Sequence, residues 1–94
     1  MREIIATNSA PSPIGPYSQA IRANGFIFVS GQIPIDPATG GITGGDVAVQ
    51  TRQVMNNLAA ILLAAGSGLD KIVKTTVFLA NLDDFPRFNQ IFQI

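Results

Sequence analysis

The 94-residue chain reads as one α+β domain, and three local signals lead to that class. Asn24-Gly25 stands between two short runs of strand character. Apolar residues then recur at helical spacing from Val47 to Ala65, framed by Asp46 and Gly66. A last apolar pattern, Phe85, Phe88 and Phe92, follows an Asn suited to start a helix.

Ile4, Ile5 and Ala6 predict a short first strand. Pro11, Pro13 and Pro16 then exclude helix and remove ladder donors, so residues 11–16 form an ordered loop or extended arm. Asn-Gly accepts positive φ at both central positions of a type I′ turn, which predicts a hairpin of Ser18–Ala23 with Phe26–Ser30. Ala20, Arg22, Phe26, Phe28 and Ser30 alternate with Ile21, Ile27 and Val29, so both faces carry apolar groups and both are expected to be covered. Residues 31–45 hold Gly31, Pro34, Pro37, Gly40, Gly41, Gly44 and Gly45, a long irregular loop of the kind that carries function or an interface.

Asp46 is the expected N-cap of a helix over 47–65, with Gly66 just past its end. Val47, Val54, Leu58, Ile61, Leu62 and Ala65 give it a wide apolar stripe for lying on a sheet. Ile72–Ala80 is β-branched and apolar and predicts a long strand. Asn81 then caps a second helix, with Asp83 and Asp84 in the first turn, where the helix dipole favours carboxylates. That placement explains the two aspartates better than a divalent metal site does. Thr75 and Thr76 read as strand packing.

Composition adds an association argument. The chain is 47% hydrophobic, its mean hydropathy is +0.33, and only 13% of its residues are charged, against about 25% in ordinary soluble domains. So few charges on a small surface leave apolar patches exposed, and self-association is the simplest way to cover them. Six basic and six acidic residues balance, and Arg2, Arg22, Arg52, Lys71, Lys74 and Arg87 are scattered. Neither nucleic acid nor an anionic membrane is expected as a partner. Without cysteine or histidine, thiolate, Ser-His-Asp and histidine general-base chemistry are excluded. The N-terminus lacks a signal-peptide run and Leu58–Ala65 is too short to span a bilayer, so a cytoplasmic location is expected. Gly40-Gly41 and Gly44-Gly45 lack a Gly-x-x-x-x-Gly-Lys-Ser/Thr pattern and read as turns.

Five segments, in order, resemble the YjgF/RidA family of reactive-intermediate deaminases. They are Ile-Gly-Pro-Tyr-Ser-Gln-Ala at 14–20, Val-Ser-Gly-Gln-Ile-Pro at 29–34, Asp-Pro-Ala-Thr-Gly at 36–40, Asp-Lys-Ile-Val-Lys-Thr-Thr-Val-Phe-Leu at 70–79 and Leu-Asp-Asp-Phe-Pro-Arg-Phe-Asn at 82–89. The resemblance implies a chorismate-mutase-like sheet with two helices on one face. It also implies a barrel-cored homotrimer with active sites in the clefts between subunits. The implied reaction is hydrolysis of enamines and imines to 2-keto acids and ammonia, with no cofactor and no metal. An imine carbon is already electrophilic, so an oriented substrate and a held water suffice.

Residue by residue, the resemblance makes Tyr17 the group that helps hold the water. Ser30 and Gly31 become the strand end contacting the ligand, and Asn89 lines the cleft from the second helix; Gln32 is a weaker candidate. Without the resemblance, Tyr17 reads as a turn anchor, Ser30-Gly31 as a compact strand end and Asn89 as a solvated helix position. The family's arginine, which clamps the substrate carboxylate, and its water-positioning glutamate belong to a stretch beyond the second helix; Arg87 and Glu3 do not match them. Residues 1–94 are therefore expected to be a domain shortened before its last strands, with little imine deaminase activity of its own. The alternative is a non-catalytic oligomer that binds a 2-keto acid; an RNA-active translation inhibitor is a weaker one.

Overall fold

The computed structural model describes residues 2–92. Its sheet has three antiparallel strands in the order β1-β2-β3: β1 Arg2–Ile5, β2 Ala20–Ala23 and β3 Phe26–Val29. Between β2 and β3, Asn24 has φ 54° and Gly25 φ 81°, the expected type I′ turn. The pairing Ala23↔Phe26 fixes the register: Ile4, Ile21 and Phe28 lie abreast, as do Ile5, Ala20 and Val29.

That register regroups the faces. Directly paired residues share a face, and a two-residue turn pairs each odd position with an even one. Ala20 and Arg22 therefore stand with Val29 and Ile27, and Ile21 stands with Phe28. The inner face packs on helix α1, Val47–Ala64, in a core of Ile5, Ala10, Ala20, Ile61 and Ala65, with Ile27, Val29 and Ala60 against it. Full burial of a side chain such as Ile61 contributes about 1.5–3 kcal/mol. The outer face leaves Ile4, Phe26 and Phe28 to solvent, Phe28 at 62%. One chain thus covers one face of its sheet and leaves an apolar face open.

Both ends of α1 are capped. Asp46 Oδ1 accepts from Val49 N at 3.1 Å. At the other end Gly66, φ 77°, donates to Leu63 O and Ser67 N donates to Leu62 O, the two bonds of a Schellman motif. Arg22 Nη2 donates to Ala65 O from the sheet, and its Nε meets Glu3 Oε1 at 3.2 Å. A cation on the last carbonyls of a helix also suits the dipole.

Asn81 Oδ1 accepts from Asp83 N at 2.9 Å and starts a short 3-10 turn, Leu82–Asp84, which leads into α2, Phe85–Ile91. Phe88 is buried where α2 meets α1, its ring 4.8 Å from Phe92 and 6.4 Å from Phe85. The last two residues, Gln93 and Ile94, lie outside the described residues.

The expected strand over Ile72–Ala80 does not form. The segment joins no ladder among the described residues and is largely solvent-exposed, Phe78 at 92%. Propensity favours an extended backbone here, but a strand also needs a neighbour to exchange N–H and C=O with, and no described segment provides one. No helix among the described residues is long and apolar enough to cross a membrane.

Candidate active site

The Pro-rich arm and the strand end after β3 face each other across a cleft. The arm contributes Pro11, Ser12, Ile14 and Tyr17; the opposite wall is Gly31, Gln32, Ile33 and Ile35, with Gln19 between them. Each wall is shaped by a proline at the centre of a three-residue turn. Tyr17 N donates to Gly15 O at 2.8 Å around Pro16, and Ile35 N donates to Ile33 O at 2.7 Å around Pro34. Proline's fixed φ near −65° suits the inverse γ-turn, so these turns follow directly from the local sequence.

Tyr17 folds back over Gly15, where an added Cβ would stand 3.5 Å from its ring. The phenol stays about half exposed at 52%. A Cβ added to Gly31 meets nothing within 4 Å, so glycine leaves free space in the wall facing Tyr17. Gln32 Nε2 donates to Ser30 O at 3.2 Å. Among the described residues the lining holds no charged side chain; it offers hydrogen bonds and apolar contact, but no ion pair.

The other two sequence candidates stand differently. Ser30 Oγ donates to Ser18 O and Ser30 N donates to Gln19 O, which ties the end of β3 to the start of β2. With its proton committed, the hydroxyl faces any ligand as an acceptor only. Asn89 is exposed on α2 and is not among the residues lining this cleft. The structure therefore gathers Tyr17, Gly31 and Gln32, sets Ser30 beside them as a tie, and places Asn89 apart.

Two buried amides hold the walls and were not singled out from sequence. Asn57, 1% exposed on α1, donates through Nδ2 to Ile35 O at 2.9 Å and accepts from Gln53 Nε2 at 3.0 Å. Thr43 Oγ1 and Gln53 Oε1, 3.3 Å apart, and Gln50 Nε2 with Thr43 O, also 3.3 Å, continue this seam along the loop. The loop is not shapeless: Ile35 and Ile42 form a bridge around a tight Asp36–Gly41 turn. Gln19 holds the arm in the same manner. A polar residue set between Val54 and Ile61 on an apolar stripe is the signal that could have found Asn57. For Gln19 the signal is a run of prolines, whose missing N–H groups call for a side-chain donor.

Comparison with known proteins agrees with this architecture. Residues 7–93 match the family described as Endoribonuclease L-PSP. A crystal structure from the conserved Rid protein family of Yersinia pestis superposes with TM-score 0.94 at 52% identity, over 97% of this chain and 72% of that one. The Escherichia coli protein TdcF, solved with bound serine, superposes with TM-score 0.91 at 43% identity, over 96% of this chain and 70% of its own. A mouse protein named 2-iminobutanoate/2-iminopropanoate deaminase is 43% identical over 93 residues, 99% of this chain and 69% of its own. With the family match running from Thr7 almost to the last residue and the fold superposing throughout, the chain belongs to the Endoribonuclease L-PSP family, the YjgF/RidA proteins its ordered motifs resemble.

Proposed function

We propose that the protein hydrolyses reactive enamines and imines of the 2-aminoacrylate and 2-aminocrotonate kind, releasing 2-keto acids and ammonia. The observation that carries this reading is the cleft pairing Tyr17 with the open Gly31 strand end, in a chain similar to a named imine deaminase. The enamine takes a proton at its β-carbon to become the imine. Water adds to the imine carbon to give a carbinolamine, and loss of ammonia leaves the ketone. Tyr17 holds the water by its hydroxyl; Ser30 and Gly31 contact the ligand, Ser30 as an acceptor. The exposed outer face of the sheet is what a homotrimer would cover, and in such an assembly Asn89 joins a cleft shared between copies. The substrate carboxylate finds no cation in the lining of a single chain, which again favours a site shared with other residues.

A second reading, binding of a small 2-keto or amino acid without catalysis, has a specific support: the similar TdcF holds serine. One paired experiment separates the two. Stopped-flow mixing with 2-aminoacrylate, made in place from serine by a pyridoxal-phosphate dehydratase, measures hydrolysis above the rate in buffer. Calorimetry with 2-ketobutyrate measures binding. Acceleration that disappears in Tyr17→Phe supports the deaminase; binding without acceleration supports the binder; the absence of both acceleration and binding defeats both readings. The dispersed basic residues weigh against RNA, and salt-dependent RNA retention would reverse that judgement.

A further inference from the structure

Gln19 is 4% exposed, and its side chain reaches back along the chain to Thr7 and Ala10, between β1 and the arm, and to Pro11 at the arm's start. Oε1 accepts from Thr7 N at 2.6 Å. Nε2 faces Pro11 O at 2.8 Å, Thr7 O at 3.0 Å and Ala10 O at 3.3 Å. The Gln19 carbonyl also accepts from Ser30 N at 3.0 Å. Two amide hydrogens shared among three carbonyls must be partly bifurcated, and the neutral amide supplies both the donors and the acceptor that these partners need. The arm needs such a partner. Pro11, Pro13 and Pro16 have no N–H to enter a ladder, so the carbonyls of the arm must be satisfied by a side chain or by water.

We infer that Gln19 is the positioning residue of the site: its buried amide locks the Pro11–Pro16 arm against the end of β1 and so sets where the Tyr17 phenol stands in the cleft. The inference rests on the proposed reading of Tyr17 as the group that works there. It separates Gln19 from a residue that merely adds stability, because the loss should appear at Tyr17 first.

The chain carries its own probe. Tyr17 is the sole tyrosine and there is no tryptophan, so tyrosine fluorescence reports this one side chain. Three variants are compared with the unmodified protein. Gln19→Met keeps the length and removes every side-chain hydrogen bond. Gln19→Glu keeps the acceptor for Thr7 N but sets an oxygen against the Ala10 and Pro11 carbonyls. Phe88→Leu weakens the α1–α2 contact, away from the arm. Time-resolved anisotropy of Tyr17 and binding of 2-ketobutyrate are measured on each. The residual anisotropy should fall by about half in both Gln19 variants and 2-ketobutyrate binding should weaken about tenfold, with neither change in Phe88→Leu. Unchanged anisotropy in the Gln19 variants, or an equal fall in Phe88→Leu, overturns the inference. Should both Gln19 variants fail to fold, low urea on the unmodified protein decides instead. Tyr17 anisotropy and hydrogen-exchange protection of the Thr7 amide should then be lost together, and Tyr17 loosening while Thr7 stays protected overturns the assignment. If the unmodified protein neither binds 2-ketobutyrate nor hydrolyses 2-aminoacrylate while anisotropy behaves as expected, the functional reading fails and the positioning role stands.

Discussion

Replacing Asn57 by alanine tests whether a buried amide, rather than apolar contact alone, holds the loop wall of the cleft. The side chain is 1% exposed and its Nδ2 donates to Ile35 O at 2.9 Å. Ile33 O, at 3.5 Å, lies at the limit of a hydrogen bond and contributes little. Alanine leaves the Ile35 carbonyl without a donor at a buried position, which costs about 1–3 kcal/mol. Gln53, half-buried, recovers water. Alanine's better helix propensity offsets roughly 0.5 kcal/mol, and the small void adds a similar amount of the opposite sign. The net loss is about 2 kcal/mol. At roughly 4–8 °C per kcal/mol for a domain this size, the melting temperature should drop by about 8–16 °C. Calorimetry reads the drop. Hydrogen exchange should show protection lost first at the Asp36 and Thr43 amides, which bond to Gly41 O and Pro34 O within the same loop. Thr51→Val is the internal control: Thr51 is buried on the same helix, but its hydroxyl bonds within the helix to Val47 O. A drop under 3 °C for Asn57→Ala, or the same loop exposure in Thr51→Val, would refute the reasoning.

Three further outcomes follow from other parts of the chain. Phe28→Glu sets a charge on the open sheet face, on the edge strand β3, so sedimentation at micromolar concentration should shift toward the single subunit; an unchanged distribution would mean that face is not the contact. Gly45 has φ 102° and an added Cβ would stand 3.2 Å from Val49 Cβ, so Gly45→Ala should cost about 1–3 kcal/mol by urea denaturation, whereas Gly31→Ala, with open space around it, should cost far less. Arg22→Met removes the guanidinium donating to Ala65 O and should lower stability by about 1 kcal/mol; an equal loss in Glu3→Gln would place the effect in the exposed ion pair instead.

How far the site could be read in advance depended on the range of the interaction responsible. Pro16 and Pro34 shape the two walls through turns of three residues, and Asn24-Gly25 and Asp46 act within four, so each was legible locally. Gln19 and Asn57 act across 12 and 22 positions, and residue type alone does not reveal which distant carbonyl lacks a donor. Ser30 shows the converse. Its motif suggested a ligand contact, but its hydroxyl is spent on Ser18, a partner visible only once β2 and β3 lie side by side.

The sequence by itself determined the class α+β, the hairpin and its turn, the start and end of α1 and the family, because each rests on backbone preferences or on ordered motifs of a few residues; the cap at Asn81 opens a 3-10 turn, and α2 itself begins only at Phe85. Only the tertiary structure decided which sheet face is covered, that Ile72–Ala80 stays unpaired, and that Tyr17 meets Gly31 while Asn89 stands apart. The physical reason is that a face, a ladder and a cleft are each properties of two segments brought together, and neither segment carries the other's position in its own residues.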